Sequence, residues 1–304
     1  MKRDRANVAA SVRDRLLNQA RTAGADAQLL ATRYVIERLL YRLSISPYKE
    51  HFVLKGAMLF PAWTGDVVRP TRDLDLLGYG DNAPEALAEA FKAIACQETD
   101  DDGVVFDADG LTARAMREEQ TYSGVRIKTV ARIGRARYPV QVDIGFGDAV
   151  TPEPDELDYP TLLDFAAPRL RAYPRTTVVA EKFEAMVRFG LGSTRIKDFY
   201  DLIVLSRLFE FEGPVLADAI RATFDRRGTE IPSGVPPALS PEFAQKPEGA
   251  RLWRQFIEDD AMIAKNVDLS TVLDELGGFV LPPAHAAASR DSFQLRWIPG
   301  RGGW

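Results

Sequence analysis

A chain of 304 residues, 46% hydrophobic and 27% charged, is long enough for two ordinary domains with a substantial core. Its net charge of −5 excludes a uniformly basic nucleic-acid coat but leaves room for a local basic groove. One cysteine, Cys96, excludes an internal disulfide framework, and two histidines, His51 and His285, argue against a Ser-His-Asp triad or a histidine-rich metal site.

The N-terminal MKRDRANVAASVRDRLLNQA places Arg13, Asp14 and Arg15 where a signal peptide needs its apolar core. No apolar run is long enough to span a membrane, so a cytoplasmic protein is expected. Residues 4–46 are predicted as two helices broken near Gly24, and His51 as a surface or strand-end residue. Residues 52–80 read as strand, glycine turn, helix and second strand. Residues 83–96 form an Ala- and Leu-rich helix, on which Cys96 is expected to pack. Residues 100–148 alternate strands and turns in VVFD, LTARAMRE, GVRIKTVARIG and PVQVDIGFG. These elements predict a mixed α/β domain over 1–150.

TPEPDELDYPT, 151–161, is Pro- and acid-rich and reads as a linker into a helical domain over 151–304. Thr176 or Thr177 is the expected N-cap of VVAEKFEAMVRFG, with Gly190 as the stop signal. Further helices are predicted at 195–209 and 214–226. Residues 231–249 hold five prolines and read as loop. Helical patterns resume at 249–264 and 268–277, and the last twenty residues read as a flexible, loop-like tail.

The chemistry concentrates in VLKGAMLFPAWTGDVVRPTRDLDLL, residues 53–77. In a strand, residues i and i+2 point to one face, so Asp73 and Asp75 project side by side. Two such carboxylates repel unless a cation sits between them. Mg²⁺ does this in phosphoryl-transfer sites, held by one or two carboxylates and by substrate phosphates. Gly56 removes a side chain where a phosphate must approach the backbone. In YPVQVDIGFGD, Asp143 points away from the Val142/Ile144 face. Beside the Asp73/Asp75 strand it would complete a three-carboxylate cluster able to hold two metal ions.

A second cluster lies downstream. Lys182 interrupts the apolar stripe of its helix, three and four residues from Val179, Val178 and Met186. It either snorkels or pairs with a structural carboxylate, or it reaches a triphosphate. Asp198 and Asp201 share a sector of the next helix, which is apolar nearly all round. Lys182, Arg195 and Lys197 are their candidate partners, in a structural or a catalytic network.

The order LKGAML, TRDLDLL, VQVDIGFGD, AEKFEAMVRFG, RIKDFYDL resembles the AbiEii/AbiGii toxin family, the toxin half of type IV-style toxin–antitoxin and abortive-infection systems. The resemblance covers about residues 50 to 210. It implies an α+β fold: a minimal nucleotidyltransferase mixed sheet flanked by helices, of the DNA-polymerase-β-like superfamily, followed by an α-helical domain. It implies an NTP as substrate and Mg²⁺ as cofactor, with two ions allowed. It also implies transfer of NMP to an RNA acceptor, the tRNA 3′ end in some members, which blocks translation. A cognate antitoxin protein is the implied partner; neither membrane nor DNA is. Carried over, Asp73, Asp75 and Asp143 are the metal-binding and catalytic carboxylates, and Lys182 and Asp198 join them as catalytic. Gly56, with Ala57 after it, and Lys182 match the family's nucleotide-binding positions; Lys55 beside the turn would add to them, and Arg72, like Arg69, either meets the nucleotide or caps the strand end. The turn departs from the superfamily pattern: Gly56 is followed by Ala57, with no Ser hydroxyl to bond a terminal phosphate.

Arg114, Arg117, Arg126, Lys128, Arg132, Arg135 and Arg137 crowd the middle strands. They suit RNA phosphates if they share one side of the groove, and otherwise form a solvated face with pairs to Glu118 and Glu119. Tyr122 and Tyr200 are either base-stacking or core residues. Two rival readings share parts of this pattern. One is a small-molecule nucleotidyltransferase of the antibiotic-modifying type, which an acidic acceptor pocket would favour; the acidic run 100–102 is either a hint of such a pocket or a loop. The other is a non-catalytic nucleotide-binding module.

Overall fold

The structure is a computed structural model that describes residues 5–65, 68–117, 123–259 and 267–304. Two helices open the chain, α1 (Arg5–Ala23) and α2 (Ala27–Ser44). Asp26 caps α2, its carboxylate accepting from the Gln28 and Leu29 N–H groups at 2.6 and 2.9 Å. The strand β1 (Phe52–Lys55) leads through a 3₁₀ turn at Gly56–Met58 into the short helix α3 (Leu59–Thr64). Then follow β2 (Asp73–Gly78) and α4 (Pro84–Ala95), which has Pro84 in its first turn, where no N–H is required. The strands β3 (Val104–Phe106), β4 (Thr112–Arg117), β5 (Ser123–Ile133) and β6 (Ala136–Phe146) complete the predicted mixed sheet.

The sheet has eight strands in the order β3-β5-β6-β2-β1 and then two more, with β4 also paired to β5. Those two are β7 (Asp155–Asp158) and β8 (Arg169–Ala172), paired antiparallel. β7 lies inside the segment expected to be a linker. The chain divides into one compact unit of 1–147 with 155–172 and another of 148–154 with 173–304. Residues 155–172 thus return to the sheet unit, whereas the sequence placed a single boundary at 150.

In the sheet unit, alternation sets the core. Leu74 and Leu76 of β2 and Val140, Val142 and Ile144 of β6 are buried, as are Val125, Ile127, Ala131 and Ile133 of β5. α1 packs on β5, α2 on β6 and α4 on β4 and β5. In the acidic run 100–102, Asp100 and Asp101 are exposed and Asp102 is structural. Asp102 is buried and accepts from both terminal nitrogens of Arg42, at 2.7 and 3.1 Å, and from the Val104 N–H. Cys96, expected to pack, is exposed just beyond the end of α4. His51 is exposed immediately before β1, as predicted.

The second unit begins with α5 (Arg175–Phe189) and α6 (Ile196–Leu208). The N-cap of α5 is Pro174, because Thr177 is engaged elsewhere: its hydroxyl is bonded to both the N–H and the carbonyl of Thr151. Gly190 ends α5 with φ +51°, as predicted. After β9 (Phe211–Glu212) comes α7 (Gly213–Arg227). The five-proline segment is not a plain loop. It contains a 3₁₀ turn at Pro237–Leu239 and the helix α8 (Pro241–Gln245), and α9 (Pro247–Asp259) begins within it. Three of the five, Pro237, Pro241 and Pro247, start helical elements, where their missing N–H costs nothing.

The last helix, α10 (Leu269–Ser289), runs twelve residues past its predicted end, through Pro282 and Pro283. Pro283 cannot bond the Phe279 carbonyl one turn back. The Trp304 indole N–H takes that carbonyl at 2.9 Å. The tail is therefore docked rather than flexible. It contributes β10 (Arg296–Trp297), paired antiparallel with β9, and Trp297 donates its indole N–H to the Ser206 carbonyl at 2.6 Å. Trp297 and Trp304 both pack on Phe279. No helix among the described residues is long and apolar enough to cross a membrane.

Candidate functional site

In the sheet unit, register explains which side chains meet. β2 runs antiparallel to β1 with Lys55 opposite Asp75, and parallel to β6 with Asp75 beside Asp143. β6 runs antiparallel to β5 with Asp143 opposite Arg126. Cross-strand partners share a face. One row across four strands therefore reads Lys55, Asp75, Asp143, Arg126, all on one side of the sheet. Asp73 sits two residues before Asp75 on the same face, beside Gln141. Asp73 is exposed; Asp75 and Asp143 are half-buried. The expected convergence of the three aspartates on adjacent strands is present in the register.

Gly56 lies under this row. Its φ of +75° is in the region that favours glycine, and a Cβ there would lie 2.2 Å from Asp75 Oδ2. The Asp75 carboxylate thus rests against the Gly56 backbone, which only a residue without a side chain permits. Ala57, the next residue, turns its methyl into the core. Arg72 is exposed just before β2.

Asp143 is not open on both oxygens. Arg126 grips it with Nε to Oδ1 and a terminal nitrogen to Oδ2, both at 2.7 Å, and Gln141 adds an amide contact at 3.3 Å. Such paired N–H donation is the strong geometry for arginine and carboxylate. The Arg126 pKa is raised, chiefly by this bond and further by the charges of Asp143, Asp73 and Asp75. Arg126 is thus a cation in the field of all three aspartates. Among the described residues no group of three or more His, Cys, Asp or Glu is poised to hold a metal ion. The donor set nonetheless fits a hard divalent cation at Asp73 and Asp75: two carboxylates on one face, above a bare backbone.

The Arg126–Asp143 pair escaped the sequence reading, although a signal for it exists. β5 and β6 are joined by the two-residue turn Gly134-Arg135, with Ile133 opposite Ala136. Counting back from that turn pairs Arg126 with Asp143.

In the helical unit, Lys182 of α5 bonds Asp198 Oδ1 at 2.6 Å and Asp201 Oδ2 at 2.8 Å, both on α6. Arg195 holds the other Asp198 oxygen at 2.6 Å. Lys182 is therefore paired, as its interruption of an apolar face required. Asp201 is as closely engaged with Lys182 as Asp198 is. Burial opposes the Asp198 charge, but Lys182 and Arg195 outweigh it and hold its carboxyl below the ordinary aspartate value of 3.8. A lowered folded pKa means that the unfolded chain binds the proton first. The stabilisation is present above about pH 4 and is lost as pH falls through the folded value. Urea midpoints are expected to drop more steeply between pH 5 and pH 3 in the wild type than in Asp198→Asn. Equal slopes would show that this network does not set the acid limb.

Tyr200 is buried and packs edge-on against Phe256, so it is a core residue. Tyr122, Glu118 and Glu119 lie outside the described residues.

No curated protein matches the chain. Two solved Helicobacter pylori structures resemble it. JHP933 has a TM-score of 0.49 at 15% identity, covering 87% of this chain and 95% of its own. A candidate nucleotidyltransferase has a TM-score of 0.49 at 14% identity, covering 87% of this chain and 98% of its own. The model of the AbiEii nucleotidyl transferase toxins of type IV toxin–antitoxin systems matches residues 38–275, well over half of the sequence. The chain belongs to the AbiEii nucleotidyl transferase toxin family.

Proposed function

We propose that this toxin is a Mg²⁺-dependent nucleotidyltransferase that transfers NMP from an NTP to an RNA acceptor, the tRNA 3′ end, and thereby blocks translation. The observation that carries the reading is Asp75, which shares a face with Asp73, resting against Gly56 at the turn after β1. Asp73 and Asp75 would hold the ion, which supplies charge neutralisation at the triphosphate, and Asp143 would join them when Arg126 releases it. Backbone N–H groups at the Gly56–Ala57 turn receive phosphate oxygens, with Lys55 beside them and Arg72 at the rim. The acceptor hydroxyl attacks the α-phosphorus in line, its proton passing to the aspartate face. The bond from the α-phosphorus to the bridging oxygen breaks, and pyrophosphate leaves. Lys182 and Asp198 serve as an oriented charged pair.

The test is incubation of the protein and Mg²⁺ with total tRNA and each α-labelled NTP in turn, with Asp75→Ala as the control. Label on RNA with one NTP, absent in the control, is the expected result. No label with any NTP would defeat the tRNA-directed reading. Of the acidic run that hinted at the small-molecule rival, Asp102 is tied to Arg42.

Two variants probe the site itself. Gly56→Ala forces a Cβ into the Asp75 carboxylate and a side chain into positive φ. Strain of about 1–2 kcal/mol is expected, with roughly 10²-fold lower transfer from a displaced carboxylate. Unchanged kinetics would show that Asp75 need not rest on the turn. Arg126→Gln releases Asp143, so Mn²⁺ binding by calorimetry should tighten, by roughly a few-fold because Arg126 is partly exposed. Weaker Mn²⁺ binding would mean that Arg126 organises the site rather than competing for it.

A further inference from the structure

The face that carries the aspartates continues beyond them. Arg126, Lys128, Val130 and Arg132 alternate along β5 on that face, and Arg137, Pro139, Gln141 and Asp143 alternate along β6. Arg114 of β4 lies opposite Arg126, and Val105 of β3 lies opposite Arg132. The other face of these strands is the buried core, whereas Arg114, Lys128, Arg132, Arg137, Pro139 and Val105 are exposed. Of the seven basic residues singled out in the middle strands, five share one side with Asp73, Asp75 and Asp143, and Arg135 lies in the turn between β5 and β6.

Two features separate this face from an ordinary solvated one. First, Arg114, Lys128, Arg132 and Arg137 have no ion pair or side-chain hydrogen bond among the described residues, in a chain that is net acidic. Second, Arg132 and Arg137 are direct cross-strand partners. Like charges placed so are destabilising unless an anion relieves them. From Asp143 to Arg137 is six residues along one strand, about 20 Å at roughly 3.3–3.4 Å per residue. The exposed apolar surface of Pro139 and Val105, with half-buried Val130 between them, lies among the cations. Phosphates spaced along a strand, with sugars and bases between them, match this alternation of charge and apolar surface.

We propose that this sheet face is the acceptor-binding surface: it grips the phosphate backbone of an RNA and leads its end to the aspartates. Lys128, opposite Gln141 on the row of Asp73, holds the RNA near the aspartates, and the Arg132/Arg137 pair grips the strand farther along. The assignment rests on the RNA-acceptor reading above, and binding can be measured without transfer.

The experiment is fluorescence anisotropy of labelled total tRNA with the full chain, without NTP, across 50–200 mM salt. Arg132→Glu/Arg137→Glu and Lys128→Glu are compared with Arg251→Glu, an exposed arginine on α9 of the other unit. The double variant should bind at least about tenfold more weakly and flatten the slope of log affinity against log salt by about 1.5–2, the loss of two phosphate contacts. Lys128→Glu should flatten it by about half as much, and Arg251→Glu should not change it. Wild-type affinity and slope in the sheet variants, an equal loss in Arg251→Glu, or no tRNA binding by the wild type would each overturn the assignment. If the sheet variants lose RNA binding but no NTP labels RNA, the surface stands and the transfer reading falls. If RNA is labelled equally by wild type and sheet variants, transfer stands and the surface falls.

Discussion

Replacing Asp75 by alanine is expected to abolish nucleotidyl transfer and to leave the fold intact; Asp73→Ala should do the same. In the proposed mechanism a cation held by these side chains would supply several kcal/mol of charge stabilisation at the triphosphate. At about 1.4 kcal/mol per tenfold, its loss is worth roughly three orders of magnitude in rate. The fold should tolerate the change for a reason visible in the sheet. Asp73 is exposed and Asp75 half-buried on a face whose opposite side, Leu74 and Leu76, does the packing. Removing one of two neighbouring carboxylates also relieves repulsion. Initial rates with labelled NTP, read beside thermal unfolding midpoints, check both halves. Either variant with full activity would remove the aspartates from the mechanism, and a large fall in midpoint would show that they are structural.

The strand pairing that builds this site was legible because Leu74 and Leu76 alternate with Asp73 and Asp75, and Val140, Val142 and Ile144 with Gln141 and Asp143. A slip of one residue would turn Leu74 and Leu76 outward and both aspartates inward. The grip of Arg126 on Asp143 was less legible, since it depends on the two-residue turn at Gly134-Arg135 that fixes the hairpin register. β7 was missed because DELD has no apolar alternation; it lies at the sheet edge, where three of its four side chains are exposed. The length of α10 was missed because Pro282 and Pro283 read as a stop. One of the two carbonyls these prolines leave without a helical N–H, that of Phe279, is taken by the indole of Trp304 at the far end of the chain. Local pattern cannot show a hydrogen bond across that separation. The Lys182 pairing was legible because a charge on an apolar stripe demands a partner. Which carboxylate it takes was not, since Asp198 and Asp201 lie three apart on one helix face.

Lys182→Met is expected to destabilise the helical unit by about 3–5 kcal/mol, the usual cost of removing one partner from a buried ion pair. Methionine fits the apolar neighbourhood of α5, so the loss would come from charge rather than from volume. The side chains left behind are the reason: Asp201 is fully buried and Asp198 is 6% exposed. Asp198 keeps Arg195, whereas Asp201 loses a contact at 2.8 Å. The double variant Lys182→Met/Asp201→Asn should therefore recover much of the stability lost in the single variant, as read by urea unfolding. No recovery would show that the cost lies at Asp198 or in packing. The same double variant separates the two roles open to this lysine. If Lys182 only holds the carboxylates in place, transfer should return together with stability. If its charge acts on the triphosphate, stability should return while transfer stays low and the KM for NTP stays raised. A neutral asparagine can satisfy a buried hydrogen bond, but it cannot replace a positive charge beside phosphate.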